Sequence, residues 1–165
     1  MLQLIGSALW FILPAYVANA TPVLLGGGVA IDRGRLFWDK RPIFGSGKTV
    51  RGFVAGVIAG SLVGGLQGIL TGQLHARLLL GLTLSIGALL GDLLGSFIKR
   101  RAGIPRGRAA PGLDQLGFLV FALLFALPVE APNWRIVLIL FLITPPIHLG
   151  TNFAGYKLGL KNRPY

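Results

Sequence analysis

A chain of 165 residues that is 53% hydrophobic and only 13% charged, with a mean hydropathy of +0.72, is not a soluble domain, in which about a quarter of residues are charged. The lack of cysteine excludes disulfides, thiolate metal sites and a cysteine nucleophile. A net charge of +11 would suit nucleic acid, but here the basic residues lie between apolar runs, and no nucleic-acid partner is expected.

A hydrocarbon core about 30 Å thick is crossed by about 20 apolar residues in a helix, and five stretches meet or approach that length. The first runs over 2–23. No Lys or Arg occurs in the first 31 residues, so the basic n-region of a signal peptide is missing and this stretch reads as a retained span. A polar segment, 24–51, follows. The second span, 52–70, places glycine at every fourth position from Gly52 to Gly72, and the third, 78–98, repeats the spacing at Gly87, Gly91 and Gly95. Such stripes let helix backbones approach closely in lipid. They suit packing within the chain, with a homodimer face or a groove for lipid chains as alternatives. After a second polar segment, 99–115, come a short fourth span, 116–129, and a fifth, 136–156, with a kink expected at Pro145-Pro146. No alternating β-barrel pattern is present, and lipid-exposed backbone must bond internally. The expected class is an all-α integral membrane protein: five transmembrane helices in one polytopic domain, 1–165, with two large basic loops.

Of the 16 Lys and Arg residues, six fall in 24–51, five in 99–115 and three in the tail, leaving Arg77 and Arg135 alone in the alternate connections. By the positive-inside rule the large loops and the carboxyl terminus of this multi-pass cell-membrane protein face the cytoplasm, with the amino terminus outside.

The stretch IFGSGKTVRG, 43–52, imitates a phosphate-binding P-loop. That motif needs glycine five residues before Gly47, where Pro42 stands, and a buried strand leading in, where the chain reads DRGRLFWDKRP. The P-loop reading fails.

Four of the five acidic residues, Asp32, Asp39, Asp92 and Asp114, lie toward the cytoplasmic side. Asp92 interrupts an otherwise uncharged span, and a carboxylate in hydrocarbon requires a cavity, a cation or a partner. Helical spacing sets Asp92, Ser96, Lys99 and Arg100 along one side of the third span. The plainer alternative is a pair between Asp92 and Lys99 or Arg100 that only settles the helix end. Asp114, where the second loop re-enters the membrane, suits a first-turn acid, yet it is expected at the same depth as Asp92. Two carboxylates among cations suit a divalent metal, and all-oxygen ligands favour Mg²⁺. The surrounding cations would neutralise a polyphosphate. Asn19 and Thr21 border the first loop, while His148 and Asn152 are i+4 neighbours in the fifth span; polar residues in such places commonly bond helix to helix. His75 is expected on the outer side, in water.

Together, PAYVANATP, DRGRLFWDKRPIFGSGKTVRGF and LLGDLLGSFIKRRAGIPRGRAAPGLDQLGF resemble the archaeal CDP-archaeol synthases over nearly the whole chain. These are CTP-dependent cytidylyltransferases that act on an isoprenoid diether glycerol phosphate. The larger CDP-diacylglycerol synthases are similar only in part, because one acid of their Asp-Arg-x-Asp signature is replaced by Gly117. The resemblance implies a nucleotide-binding loop over 39–52, with Asn19, Asp32, Lys40, Lys48 and Arg51 at the CTP site. It further implies Asp92 and Asp114 as metal ligands, Lys99 and Arg100 as phosphate contacts, and Lys48 as catalytic beside the two acids.

The composition suits that chemistry. A phosphate monoester has a second pKa of about 6, so the attacking lipid phosphate is already largely ionised. The protein must align anions and stabilise charge, which requires no protein nucleophile. A transporter would instead carry ionisable residues in several spans and an inverted repeat. A basic scaffold for anionic lipid would not require Asp92, and the acid-rich helix of a CDP-alcohol phosphotransferase is missing.

Overall fold

A computed structural model describes residues 1–160; Lys161 and Arg163, counted above in the basic tail, lie outside the described residues. The chain forms five helices: α1 (Leu2–Leu25), α2 (Val50–Thr71), α3 (Leu74–Arg101), α4 (Leu113–Ala126) and α5 (Trp134–Lys157). Of these, α1, α2, α3 and α5 are long and apolar enough to cross a membrane, and α4 is a shorter apolar helix.

The bundle is organised around α3, which packs against α1, α2 and α4, while α5 lies outside against α1 and α4. The glycine stripe of α2 is a wedge within the chain. A Cβ at Gly56 would lie 2.7 Å from the Ala18 carbonyl oxygen and 3.0 Å from a Leu89 methyl, and one at Gly60 would lie 1.9 Å from Ser85 Oγ. Glycine therefore brings α2 against α1 and α3 at once. The stripe of α3 meets α4 in the same way: a Cβ at Gly91 would stand 2.6 Å from the Gly117 carbonyl oxygen. These close approaches assign both stripes to packing inside one chain.

Prolines are accommodated by neighbouring helices. Pro14, inside α1, has no N–H to offer the carbonyl of Trp10. The side-chain amide of buried Gln67 on α2 donates to that carbonyl instead, at 2.7 Å. The helical assignment of α5 continues through Pro145 and Pro146, and Thr144 just before them is buried and bonds Tyr16 of α1 at 2.7 Å.

Both α3 and α4 differ in their bounds from those expected. α3 starts at Leu74 because Gly72, at φ 69°, ends α2 in a left-handed cap and reverses the chain at once; His75 is thereby in the first turn of α3 and exposed. α4 starts three residues early, at Leu113, because Gln115 Oε1 accepts the Gly112 N–H at 2.6 Å and Asp114 accepts that of Ala110 at 2.8 Å. It stops at Ala126, ahead of Pro128. Fourteen residues rise only about 21 Å, yet the turn after α4 completes the traverse, for Glu130 reaches Arg77 at the other end of α3 with a 3.0 Å ion pair. An apolar cluster runs from Ile12, Leu80, Leu84, Leu119 and Leu140 to Ala15, Ala88 and Phe118, with Gln67, Ser85 and Thr144 as buried polar residues within the helices. The Lys48–Asp92 and Lys99–Asp114 ion pairs lie toward the end that carries the two loops.

Candidate active site

The first loop is organised by a single carboxylate. Asp32, 6% exposed, accepts N–H groups from Gly34 at 3.0 Å, Phe44 at 2.9 Å and Gly45 at 2.8 Å. Burial raises the carboxyl pKa, but these backbone donors outweigh it and hold the group below its ordinary value. The arrangement draws 43–45 back against 32–34, so that the chain enters α2 in one position. Thr49 then caps α2, its hydroxyl accepting the Gly52 N–H at 3.1 Å. The Gly-Lys-Thr triplet thus leads directly into the capped start of α2.

That start aims Lys48 at α3, where its ammonium lies 2.5 Å from the Asp92 carboxylate. On the neighbouring helix, Asp114 accepts from Lys99 Nζ at 2.6 Å through one oxygen and from Ala110 N–H through the other. Asp92 therefore pairs with neither Lys99 nor Arg100 of its own helix, although the spacing allows it. Both acids are bound across elements, tying loop to helix and helix to helix. The contacts Gly91–Gly117 and Gly95–Leu113 fix the register of α3 against α4. By that register Asp114 lies roughly 3 Å nearer the loops than Asp92, so the two acids are not level.

Beside the pairs, Arg100 is half-buried and its Nε is buried with no hydrogen-bond partner among the described residues. Arg51 is exposed in the first turn of α2, two residues beyond the Thr49 cap. Asn19 is half-buried. Because Ala18 and Leu89 both meet Gly56, Asn19 stands near the level of Leu90, roughly 3 Å deeper than Asp92. The acceptors of Asp32 are turned to its own loop, and Lys40 is exposed in a separate turn with no bond from its side chain to the Asp92 or Asp114 pairs. His148 and Asn152 lie 3.1 Å apart on α5, with the His148 ring 5.9 Å from that of Phe118.

Sequence reasoning passed over the residues that join the two loops. Arg106 donates to Ser46 Oγ at 2.8 Å and lies across Gly47, where a Cβ would stand 3.0 Å from its Nε. Arg101 pairs with Asp39 at 2.9 Å and donates to the Pro42 carbonyl at 2.6 Å, while Arg41 donates to the carbonyls of Arg100 and Arg101. The Lys99-Arg100-Arg101 run held the only signal. It marked a charge cluster without distinguishing a fastening arginine from a free one.

The donor set suits Mg²⁺ shared with a substrate. Among the described residues no group of three or more His, Cys, Asp or Glu is placed to hold a metal. Two carboxylates at adjoining helices are, however, the kind of partial oxygen set that Mg²⁺ completes with water and substrate phosphates.

Fold and site together define a multi-pass helical membrane protein with a charged, loop-covered end. The family model for CarS-like CDP-archaeol synthases matches residues 1–165. The CDP-archaeol synthase of Thermococcus gammatolerans is 56% identical, with 96% of this chain and 95% of that one covered; that of Thermococcus kodakarensis is 52% identical over the same shares. A solved structure described as an intramembrane enzyme for archaeal membrane lipids biosynthesis superposes with a TM-score of 0.81 at 39% identity, covering 90% of this chain and 94% of that one. The chain belongs to the CDP-archaeol synthase family, and so is a CTP-dependent cytidylyltransferase of archaeal lipid biosynthesis.

Proposed function

We propose that the chain transfers CMP from CTP to an isoprenoid diether glycerol phosphate, 2,3-bis-geranylgeranyl-glycerol 1-phosphate, giving CDP-archaeol and pyrophosphate. The observation that carries this reading is the pair of lysine–aspartate bridges, Lys48–Asp92 and Lys99–Asp114, beneath two basic loops. A lipid phosphate oxygen attacks the α-phosphorus of CTP, and the bond from that phosphorus to the bridging oxygen of pyrophosphate breaks. The lipid phosphate arrives ionised, so no side chain need take its proton.

The residues act by exchange of partners. A triphosphate carries more negative charge than a carboxylate, so the ammoniums of Lys48 and Lys99 turn to phosphate when CTP arrives. Asp92 and Asp114 are thereby released. The side chains are open to solvent at 29% and 34% for Lys48 and Asp92 and at 14% and 21% for Lys99 and Asp114, so the Lys48 bridge exchanges at the lower cost. Asp92 and Asp114, together with phosphate oxygens, would hold Mg²⁺, which would supply charge neutralisation there. Arg51 and Arg100 complete the phosphate site, and Asn19 meets the nucleotide or lipid headgroup from below. The loops face the cytoplasm, where CTP is found. A homodimer is compatible with this scheme and plays no part in it.

The test is incubation of purified protein with labelled CTP, Mg²⁺ and either diether or diacyl glycerol phosphate, scored as label entering the organic phase. Label with the diether lipid supports the proposal. Equal turnover of the diacyl lipid would remove the substrate assignment, and no label with either lipid would remove the reaction.

A further inference from the structure

The first loop contains a hairpin, 35–43, closed by Phe37 N–H to the Arg41 carbonyl at 2.8 Å and Lys40 N–H to the Phe37 carbonyl at 2.9 Å. It is fastened to the end of α3 by aromatic and charged contacts. The Phe37 ring meets Phe97 edge-on at 5.3 Å, and the Arg101 guanidinium lies 5.0 Å and 4.8 Å from those two rings while pairing with Asp39. Phe97 stands about 140° around the helix from Asp92. It lies away from Ser85 and Leu89, which meet α2, and from Gly87 and Gly91, which meet α4. The side of α3 below it carries Leu79 and Leu94, exposed at 50% and 40%. The hairpin therefore clasps the outward side of α3, while Lys48 of the same loop holds the inward side.

At the tip of this hairpin Trp38 is 88% exposed and Leu36 58% exposed. Asp39 and Arg41 are engaged in fastening it, but Arg33, Arg35 and Lys40 are exposed with no ion-pair partner among the described residues. An indole has an apolar body and one N–H, and belongs at the level of lipid headgroups. Cations beside it suit anionic lipid.

We propose that the 35–43 hairpin is an interfacial anchor. Trp38 and Leu36 enter the headgroup layer beside α3, and Arg33, Arg35 and Lys40 pair with lipid phosphates. The bilayer thereby becomes part of what holds the first loop, and with it Lys48, in place.

Trp10→Phe with Trp134→Phe leaves Trp38 as the sole tryptophan of the three. The protein is placed in phosphatidylglycerol vesicles whose acyl chains are brominated near the glycerol. The anchor predicts blue-shifted emission, loss of most intensity to the bromines and little response to aqueous iodide, with weaker quenching when phosphatidylcholine replaces phosphatidylglycerol. Emission open to iodide and indifferent to bromolipid overturns the proposal. A blue shift that appears only as the protein-to-lipid ratio rises assigns the patch to a second copy of the chain and overturns it equally. Should the double variant not fold, Trp38→Cys carrying a nitroxide, in a chain with no other cysteine, replaces it. Collisions with oxygen must then exceed those with a water-soluble nickel chelate, and the reverse order contradicts the anchor.

Discussion

Lys48 Nζ and the Asp92 carboxylate meet at 2.5 Å across 44 positions of sequence, joining the start of α2 to the inner side of α3. The pair makes one residue of a surface loop answer to one residue of a membrane helix. Lys48→Ala and Arg51→Ala should each weaken CTP binding by about ten- to a hundred-fold, the value of a lost charge-assisted phosphate contact of roughly 1.5–3 kcal/mol. Thr49→Ala should instead lower stability by about 1 kcal/mol through the lost helix cap, with little change in CTP affinity. Equilibrium binding and thermal melts separate the two. A Thr49 variant as weak in binding as the Lys48 variant would restore a phosphate-loop role to the triplet.

Asp32 makes the first loop sensitive to acid. Its folded pKa lies below the unfolded value of about 3.9, so its contribution is complete above that pH and is lost as pH falls through the folded pKa. Protection of the amides in 29–49 against exchange, relative to their intrinsic rates, should fall below about pH 4 while α2 and α3 stay protected. Asp32→Asn should remove the step and loosen the loop at neutral pH, at a cost of about 1–3 kcal/mol for unmet backbone donors. Unchanged exchange in the variant would show that the loop does not depend on this carboxylate.

The glycine wedge predicts position-specific overpacking. Gly60→Ala, whose Cβ would meet Ser85 Oγ at 1.9 Å and the Pro14 carbonyl oxygen at 2.6 Å, should destabilise the bundle by at least 1–3 kcal/mol. Gly65→Ala on the same helix has only an ordinary 3.6 Å contact with Leu78, and should be neutral or stabilising. Melting temperatures in detergent should order the variants accordingly; equal melting temperatures would contradict the wedge.

Orientation can be read with added cysteines, since the chain has none. Cysteines placed at Ser46 and Arg106, joined by a 2.8 Å hydrogen bond, should both react with an impermeant reagent from the cytoplasmic side only. Reaction from outside would separate the charged end from cytosolic CTP.

Periodicity and hydropathy made the five helices and the glycine faces legible, because lipid leaves few alternatives for a long apolar run. Asp92 and Asp114 stood out because a carboxylate there needs a partner. Which partner was not legible. Helical spacing offered Lys99 and Arg100 to Asp92, whereas Lys48 reaches it only because Asp32 folds a loop whose shape no short-range pattern encodes. The same loop geometry gives Asp32 a supporting role in its own loop and sets Lys40 in a separate, exposed turn, neither of which a short-range pattern shows. Gln67, bonded to the carbonyl that Pro14 frees, was invisible for a related reason: its partner lies on another helix.

In the proposed mechanism Asp92 and Asp114 together hold Mg²⁺ against the CTP phosphates. Asparagine keeps the shape and one carbonyl oxygen of aspartate while removing its charge, so Asp92→Asn and Asp114→Asn test charge rather than packing. The measurement is CTP incorporation against Mg²⁺ concentration for both variants and the native chain, beside their melting temperatures. Folded variants without turnover at any Mg²⁺ concentration are expected. Variants that melt early but retain turnover, with the native dependence on Mg²⁺, would contradict that mechanism and leave both acids as structural partners of Lys48 and Lys99.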